Sequence, residues 1–323
     1  MLILTQPFKV LLCLLMLAIG ANSSGAYPDR PIRLIVPSGA GGITDNLARL
    51  LVTQLTPLLG QQVFVENKPG ASGISGTQFV ANAPADGYTL LMVFPSHVTN
   101  PSLFAKLPYD SVRSFEPIAL VSVVSLVLVV PKNSPATHLE SLIAYAKANP
   151  SKLNFGSVGA GSLGHLGAEL FNTMTNTNMT HIPYKGSPQV MTALISGEIH
   201  MYFVASASSA LPHIQSNQIK ALGVSGKDRL AILPDTPAVN DVVRGFEVLG
   251  WNGILAPTGA PKAIVEKLNT LINQVVSSSE FQQKLRAEGA RSSSITAAEF
   301  GQLIQKDIQK WAGVIKKAGI TPE

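Results

Sequence analysis

Two copies of one local pattern constrain the fold of this 323-residue chain more than any other feature. In each copy a short apolar run is followed by a glycine-rich loop, a segment with apolar residues at helical spacing, and a second apolar run. One copy extends from PIRLIVP to QQVFVEN and the other from KLNFGSV to THIPY. A strand, a helix and a strand in this order form a βαβ unit. Because the copies begin more than 100 residues apart, we predict an α/β protein of two lobes rather than one continuous sheet.

Two other segments are candidates for strands that cross between the lobes. The run from Ile118 to Val130 is uncharged and rich in valine. It is too short to span a bilayer, but it suits a strand that is buried on both faces. The second candidate is FEVLGWNGILAP, which begins at Phe246. We therefore expect lobe 1 to comprise residues 27–124 and 246–323, and lobe 2 to comprise residues 125–245.

The first 26 residues have the pattern of a secretory signal peptide. Lys9 precedes an uncharged run from Val10 to Gly20, and small residues follow up to Ala26. That run is shorter than the roughly 18 to 20 apolar residues of a membrane-spanning helix. We expect cleavage near Ala26, a mature chain that starts near Tyr27, and export to the periplasm. The single cysteine, Cys13, lies in the segment to be removed, so no disulfide is expected in the mature protein.

Composition and missing motifs exclude several classes of function. Lys and Arg number 24 against 19 Asp and Glu, but only 13% of residues are charged, too few for the basic stripe of a nucleic-acid-binding protein. The sequence contains no H-E-x-x-H, G-x-S-x-G, S-x-x-K or G-x-x-x-x-G-K-[ST] motif, and no two of its six histidines are four residues apart. We therefore expect no nucleic-acid partner, no metal, no cofactor and no enzymatic activity. We also expect the protein to be a monomer.

One segment formally matches a cofactor motif. Gly159 to Gly164 read G-x-G-x-x-G between a strand and a helix, which is the context of a dinucleotide-binding fingerprint. That fingerprint also needs an acidic residue about 20 positions later, at the end of the next strand. The corresponding segment, THIPYKG, contains Lys185 and no carboxylate. A nicotinamide-dependent enzyme is therefore not predicted.

The glycine-rich loops suit an anion instead. Both VPSGAGGITD, which ends at Asp45, and Gly159 to Gly164 lead from a strand into a helix. Backbone N–H groups at a helix N-terminus are unpaired and lie at the positive end of the helix dipole. One such loop in each lobe would clamp, across a cleft, a ligand with two carboxylates or a ligand with one carboxylate and a polar tail. The alternative, in which each loop is only a tight turn, stays open at this stage.

Seven segments of the chain form a recognisable series. They are YPDRPIRLIVPSGAGGITDNLAR, LGQQVFVENKPGASG, ADGYTLLM, NPSLFAKLPYD, GSVGAGSLGHLGAELF, HIPYKG and GWNGILAP. In order and at matching spacing, they resemble the Bug-type substrate-binding receptors of tripartite tricarboxylate transporters, and the resemblance runs from about Tyr27 to the C-terminus. It implies a type II periplasmic binding-protein fold with crossing hinge strands, closure of the lobes on a small carboxylate, recognition mainly by backbone amides, and membrane transporter subunits as partners.

The resemblance also implies a set of ligand-binding residues. For Asp45 we favour stabilisation of the first helical turn over direct contact with the ligand. For His165, donation to the ligand and packing beneath its loop are both open. Asn100 and Pro101 are predicted to lie in a turn. The candidate residues are Ser38, Gly39, Ala40, Gly41, Gly42 and Asp45 in the first loop, Ser96 and His97 after the strand TLLMVF, and Ser157, Gly161, Ser162 and His165 in the second loop.

Two positions depart from the family pattern. Ser38 stands where an aromatic residue is usual, and His200 stands where an aspartate is common. The sequence therefore leaves the ligand open among dicarboxylates, tricarboxylates, acidic amino acids and aromatic carboxylates. It also leaves open a receptor that presents its ligand to a membrane signalling sensor, with an exported enzyme as the third interpretation.

Overall fold

The computed structural model of this chain describes residues 27–321. The predicted signal peptide and Cys13 lie outside the described residues. Within residues 27–321, no helix combines the length and the hydropathy that crossing a membrane requires. Two separate β-sheets, each flanked by helices, form two lobes, which confirms the predicted two-lobed α/β fold.

The elements follow one another in three blocks. The first block consists of β1 (Ile32–Val36), α1 (Ile43–Leu59), β2 (Val63–Asn67), α2 (Ile74–Ala81), β3 (Thr89–Val93), α3 (Ser96–Leu103) and β4 (Phe115–Ser125). The second consists of β5 (Val127–Pro131), α4 (Leu139–Ala148), β6 (Asn154–Ser157), α5 (Leu163–Thr175), β7 (Thr180–Pro183), α6 (Ser187–Ser196), β8 (Met201–Val204), α7 (Ala207–Gln215) and β9 (Ile219–Val224). The third consists of β10 (Leu249–Pro257), α8 (Lys262–Val276), α9 (Ser279–Ala287), β11 (Ala290–Arg291) and α10 (Ala297–Ala318).

Both sheets are mixed. The strand order is β11-β4-β10-β3-β1-β2 in the first sheet and β7-β6-β8-β5-β9 in the second. Strand β1 is parallel to β2 and β3, and β6 is parallel to β7 and β8. The carboxyl ends of β1 and β6 therefore lie at the edges of the sheets where the two glycine-rich loops begin. In open sheets of this kind, ligands bind outside the carboxyl ends of the strands.

The chain crosses between the sheets through the segments that were predicted to do so. Strand β4 belongs to the first sheet and, after Leu126, the chain enters β5 of the second. Ser225, which is fully buried, follows β9 and ties the crossing segments together. Its N–H donates to the Leu126 carbonyl at 2.8 Å, its Oγ accepts from the Leu126 N–H at 2.7 Å, and its hydroxyl donates to the Val248 carbonyl. We call these contacts of Ser225 with Leu126 and Val248 the crossing cluster, because they join the segments that pass between the two sheets.

Amphipathic helices hold the loops in place. In α1, leucines 47, 51, 55 and 59 form a buried stripe at a spacing of four residues, and Gly60 ends the helix with a left-handed φ of 69°. The spacing of Thr296 and Glu299 predicts a capping box at the start of α10, and the structure contains it. Trp311 shares helical spacing with Phe300, Ile304 and Ile315, which predicts a core position, and it is only 1% exposed. The prediction that Trp311 belongs to the core is therefore confirmed.

Two local predictions were wrong. The spacing of Thr137 and Glu140 predicts a capping box for α4. The helix is instead capped by His138 and Ser141, because the His138 ring accepts the Ser141 N–H at 3.2 Å. Asn100 lies in helix α3 rather than in a turn, and so does the proline that follows it. The Asn100 side chain donates to the Ser72 carbonyl at 3.1 Å, so a tertiary contact uses the group that a turn would have used locally.

Candidate functional site

The first candidate loop, residues 37–42, leads from the carboxyl end of β1 into α1, and we call it loop 1. Gly41 has φ of 81°, in the left-handed region that favours glycine. Its N–H donates to Asp45 Oδ2 at 2.9 Å. The same oxygen accepts from Arg49 Nε at 2.9 Å, and Asp45 Oδ1 accepts from Asn67 Nδ2 at 2.9 Å. Both oxygens of Asp45 therefore bond to protein groups that shape the loop.

Asp45 is a buried charge with dedicated partners. The hydrogen bond from the Arg49 guanidinium, together with those from Gly41 and Asn67, holds the pKa of its carboxyl at about 2, although burial alone would raise it. The carboxylate is 1% exposed, so it stays ionised without facing solvent. These contacts favour the stabilising role of Asp45 over contact with a ligand.

The second candidate loop, residues 158–162, leads from the carboxyl end of β6 into α5, and we call it loop 2. Gly161 has φ of 71°, and its N–H donates to His165 Nδ1 at 3.1 Å. Ser157 Oγ accepts from the Gly159 N–H at 3.1 Å and lies 2.6 Å from His181 Nε2. The Ser162 hydroxyl caps α5 and accepts the His165 N–H.

His165 supports loop 2 from beneath. Its ring stacks on His181, with ring centroids 3.7 Å apart and planes inclined by 12°. Burial, with His181 as the second cause, lowers the pKa of His165 to about 3, and burial lowers that of His181 to about 4. Both rings are therefore neutral near pH 7. Because His165 Nδ1 accepts a hydrogen bond, its proton is on Nε2, which lies 3.8 Å from Glu169 Oε1.

The two loops share one construction that sequence reasoning missed. In each, a glycine with positive φ donates its N–H to the side chain four residues later: Gly41 to Asp45 and Gly161 to His165. We call this contact the amide latch. The spacing of a glycine and an acceptor side chain four positions apart, present in both loops, was the available signal. The latch occupies the N–H groups of both glycines. An anion could therefore bind only to the backbone N–H groups of neighbouring residues.

Those neighbouring amides make no hydrogen bond to any other described residue. They belong to loop 1, where the glycines are exposed, and to the start of α5. Each lies within the first residues of a helix or just before it, where N–H groups point outward along the positive end of the dipole. The unpaired N–H groups are those of Gly39, Ala40 and Gly42 in loop 1, and of Ala160, Leu163 and Gly164 beside loop 2.

The starts of α1 and α5, from opposite lobes, converge on the crossing strand β10. Thr44 Oγ1 donates to Asn252 Oδ1 at 3.2 Å, and Asn252 Nδ2 donates to Ser122 Oγ of β4 at 3.1 Å. Two residues along β10, the absent side chain of Gly250 makes room for Leu163, because a methyl group there would lie 3.0 Å from Leu163 Cδ2. The two loops therefore flank one cleft between the lobes.

The residues after β3 divide between the cleft side and the core. Ser96 is the first residue of α3 and is half-buried. His97 is 3% exposed, its Nε2 lies 2.9 Å from the Ser111 carbonyl, and its ring packs on Tyr109 and Phe115. Burial lowers the pKa of His97 to about 4. The contacts of His97 therefore lie within lobe 1, and its contact with a ligand stays a prediction.

The two departures from the family pattern have different surroundings. Ser38 lies in loop 1, its carbonyl accepts from Asn67 Nδ2 at 3.1 Å, and its buried Oγ has no hydrogen-bond partner among residues 27–321. His200 pairs within lobe 2, where its Nδ1 lies 2.8 Å from Asn154 Oδ1. Ser38 thus belongs to the cleft and His200 does not contact either loop.

One pair of side chains beneath loop 2 has the spacing of a nucleophile and its base. Ser157 Oγ lies 2.6 Å from His181 Nε2, but Ser157 is fully buried and also lies 3.0 Å from the Gly159 carbonyl. The Ser157 hydroxyl is therefore bonded within loop 2. Across residues 27–321, no three His, Cys, Asp or Glu side chains are arranged to hold a metal ion.

Comparison with known proteins agrees with this geometry. Residues 47–320 match the family model of the tripartite tricarboxylate transporter family receptor. Protein BugT of Bordetella pertussis is 35% identical over 300 residues, which cover 92% of each chain. The structure of Rpa4515 from R. palustris with adipate has a TM-score of 0.78 and 34% identity, and the match covers 92% of this chain and 100% of that one.

A further structure, that of the periplasmic binding protein BugD, has a TM-score of 0.74 and 34% identity, with coverage of 92% of this chain and 100% of that chain. The Bug-type resemblance predicted from the sequence is thereby confirmed. The family match extends over most of the chain and both lobes. This protein belongs to the tripartite tricarboxylate transporter receptor family.

Proposed function

We propose that this protein is a periplasmic receptor that binds a small carboxylate between its lobes and delivers it to membrane transporter subunits. The observation that carries the proposal is the pair of latched glycine loops, one from each lobe, that meet at β10 with unpaired amides beside them. Unpaired N–H groups at helix N-termini favour an anion. The bound adipate in the related Rpa4515 supports a carboxylate as that anion.

In this proposal the candidate residues have three roles: direct binding, positioning of the loops, and lining of the cleft. The amides of loop 1 and of the start of α5 bind the carboxylate directly, together with the hydroxyls of Ser38 and Ser162. Asp45, Ser157 and His165 act as positioning residues, because their side chains already bond to the loops. Ser96 lines the cleft from α3.

Binding is proposed to close the lobes about the crossing strands, since neither loop alone surrounds an anion. The lobes would comprise residues 27–124 with 246–323, and residues 125–245. The passage of β4 into β5 at Leu126 and the return of the chain to β10 at Leu249 support these limits. Small-angle X-ray scattering should show a smaller radius of gyration with bound ligand.

We also propose that the receptor is exported, monomeric and without catalytic activity. The signal-peptide pattern of the first 26 residues supports export, as does the likeness to periplasmic BugD. Intact-mass measurement of the periplasmic fraction should give a chain that starts near Tyr27. A chain that retains Met1 would contradict export by this route.

A thermal-shift screen tests the binding function. The purified exported protein is titrated with adipate, succinate, citrate, glutamate and benzoate at constant ionic strength. A ligand at 100 times its Kd should stabilise the fold by about 2.7 kcal/mol. If no carboxylate raises the melting temperature, the proposed function is wrong. Uptake of a labelled hit by cells that lack the receptor separates the two remaining uses, because a receptor for a signalling sensor would leave uptake unchanged.

A further inference from the structure

A cavity of about 560 Å³ lies between the lobes beside loop 1. Helices α1 and α9 and strand β4 supply its lobe 1 wall, and Ala205 and Ser206, which precede α7, supply the wall from lobe 2. Ile43, the first residue of α1, lines the cavity and directly follows Gly42, whose N–H is unpaired. The volume lies within the range of small-molecule pockets, about 300 to 1,000 Å³.

The wall of this cavity presents more apolar than polar surface, although polar and charged side chains also line it. Its apolar side chains come from α1, β4, α9, β11 and the segment before α7, so they are far apart in sequence and are brought together only by the fold. An apolar wall next to a donor loop suits a ligand with one charged end and an uncharged body. The apolar lining residues are Ile43, Leu47, Leu50, Val124, Ala205, Leu285, Ala287 and Ala290.

The charged groups of the cavity wall argue against a second carboxylate on the ligand. Arg49 is bonded to Asp45 at 2.9 Å, and Lys284 lies 3.4 Å from Glu280, so both cations already have an acidic partner. Glu288 adds a negative charge, and it accepts from the Ser208 hydroxyl across the lobes at 2.6 Å. A distal carboxylate would lose its hydration without gaining a counter-charge.

We propose that the ligand is a monocarboxylate whose uncharged apolar body fills this cavity while its carboxylate sits at the amides beside Ile43. The inference rests on the proposed carboxylate-binding function and narrows its substrate class. It separates this chain from a receptor for short dicarboxylates. Each additional buried methylene should lower Kd about fourfold until the cavity is full.

The first experiment compares octanoate with suberate by isothermal titration calorimetry on the full exported protein. The two acids share an eight-carbon chain and differ in the second carboxylate. We expect Kd for octanoate to be at least about tenfold lower than for suberate, because the distal charge would be buried unpaired. Butanoate and hexanoate complete the series and should bind progressively more weakly than octanoate as the chain shortens.

The second experiment fills the cavity. Ala287 lines it from α9 and is exposed, so Ala287→Phe should fold normally while occupying part of the space. The matched control is Ala298→Phe, at an exposed position of α10 away from the cavity. We expect Ala287→Phe to weaken octanoate binding about tenfold and to leave butanoate binding unchanged, and we expect the control to change neither.

The outcomes that overturn the inference are distinct from failure of the proposed function. Suberate binding as tightly as octanoate, no dependence on chain length, or equal octanoate binding by Ala287→Phe and wild type would each overturn the cavity assignment and leave a carboxylate receptor. If none of the four acids binds and the carboxylate screen is also negative, the proposed function itself fails.

Discussion

The contact between Gly161 and Leu103 provides a sharp test of closure, because it joins loop 2 to helix α3 of the other lobe. Gly161 has φ of 71°, so Gly161→Ala places an L-residue in the left-handed region, which costs about 1 to 2 kcal/mol of stability. The new Cβ would also collide with Leu103 Cδ1. Gly41→Ala is the matched control, since Gly41 has φ of 81° but no atom lies within 4 Å of an added Cβ.

The two glycine variants should therefore lose similar stability and differ in ligand binding. The backbone cost applies whether the lobes are open or closed. The clash with Leu103 arises where loop 2 and α3 meet as in the described structure, and separation of the lobes would relieve it. Overpacking of this kind costs about 1 to 3 kcal/mol. If this free-energy cost falls only on the closed, ligand-bound state, Kd rises about 5- to 150-fold. Gly41→Ala should raise Kd less than Gly161→Ala does, because it strains the latch of loop 1 without meeting the opposite lobe.

Urea unfolding measures the stability of each variant, and isothermal titration calorimetry measures Kd for the carboxylate that the thermal-shift screen selects. Leu103→Ala removes the atoms that the added Cβ would meet, so the double variant should bind about as well as Leu103→Ala alone. Equal Kd values for Gly161→Ala and Gly41→Ala, or a double variant that binds no better than Gly161→Ala, would refute closure at this contact.

Three further predictions concern stability. Asp45→Asn removes a buried carboxylate that accepts three hydrogen bonds, so the free energy of unfolding in urea should fall by about 1.5 to 3 kcal/mol, and an unchanged value would contradict the latch in loop 1. Ser225→Ala should cost about 1 to 3 kcal/mol in the same assay, whereas the exposed control Ser216→Ala should cost less than about 0.5 kcal/mol; equal losses would argue against the crossing cluster. His97, His165 and His181, of which the first two are buried and the third is half-buried, have folded-state pKa values of about 3 to 4, below the 6.5 of an unperturbed imidazole, so the unfolded chain takes up protons first as pH falls. Stability should be full above pH 6.5 and decline between pH 6.5 and 4 by up to about 1.4 kcal/mol per pH unit for each histidine; His165→Gln should make this decline shallower, and an identical pH profile for the variant would contradict it.

The order of strands and helices was determined by the sequence because it depends on local patterns. The glycine loops between apolar runs located β1, α1, β6 and α5, and the valine-rich run from Ile118 to Val130 located the crossing strands. Capping residues likewise predict where α10 begins, and helical spacing predicts that Trp311 is buried. Apolar periodicity and turn-forming residues act over a few neighbouring positions, so they can be recognised in the sequence without knowledge of the fold.

Only the tertiary structure decided which atoms of the candidate site are free. His97 and His165 both follow strands that point toward the cleft, yet one ring is buried against Tyr109 and the other supports loop 2. Gly41 and Gly161 had been expected to offer their amides, which the latches occupy. Hydrogen-bond partners depend on approach to within about 3 Å, and the apolar cavity depends on side chains from four elements meeting between two lobes. Sequence spacing does not encode such distances, because the packing of distant segments sets them.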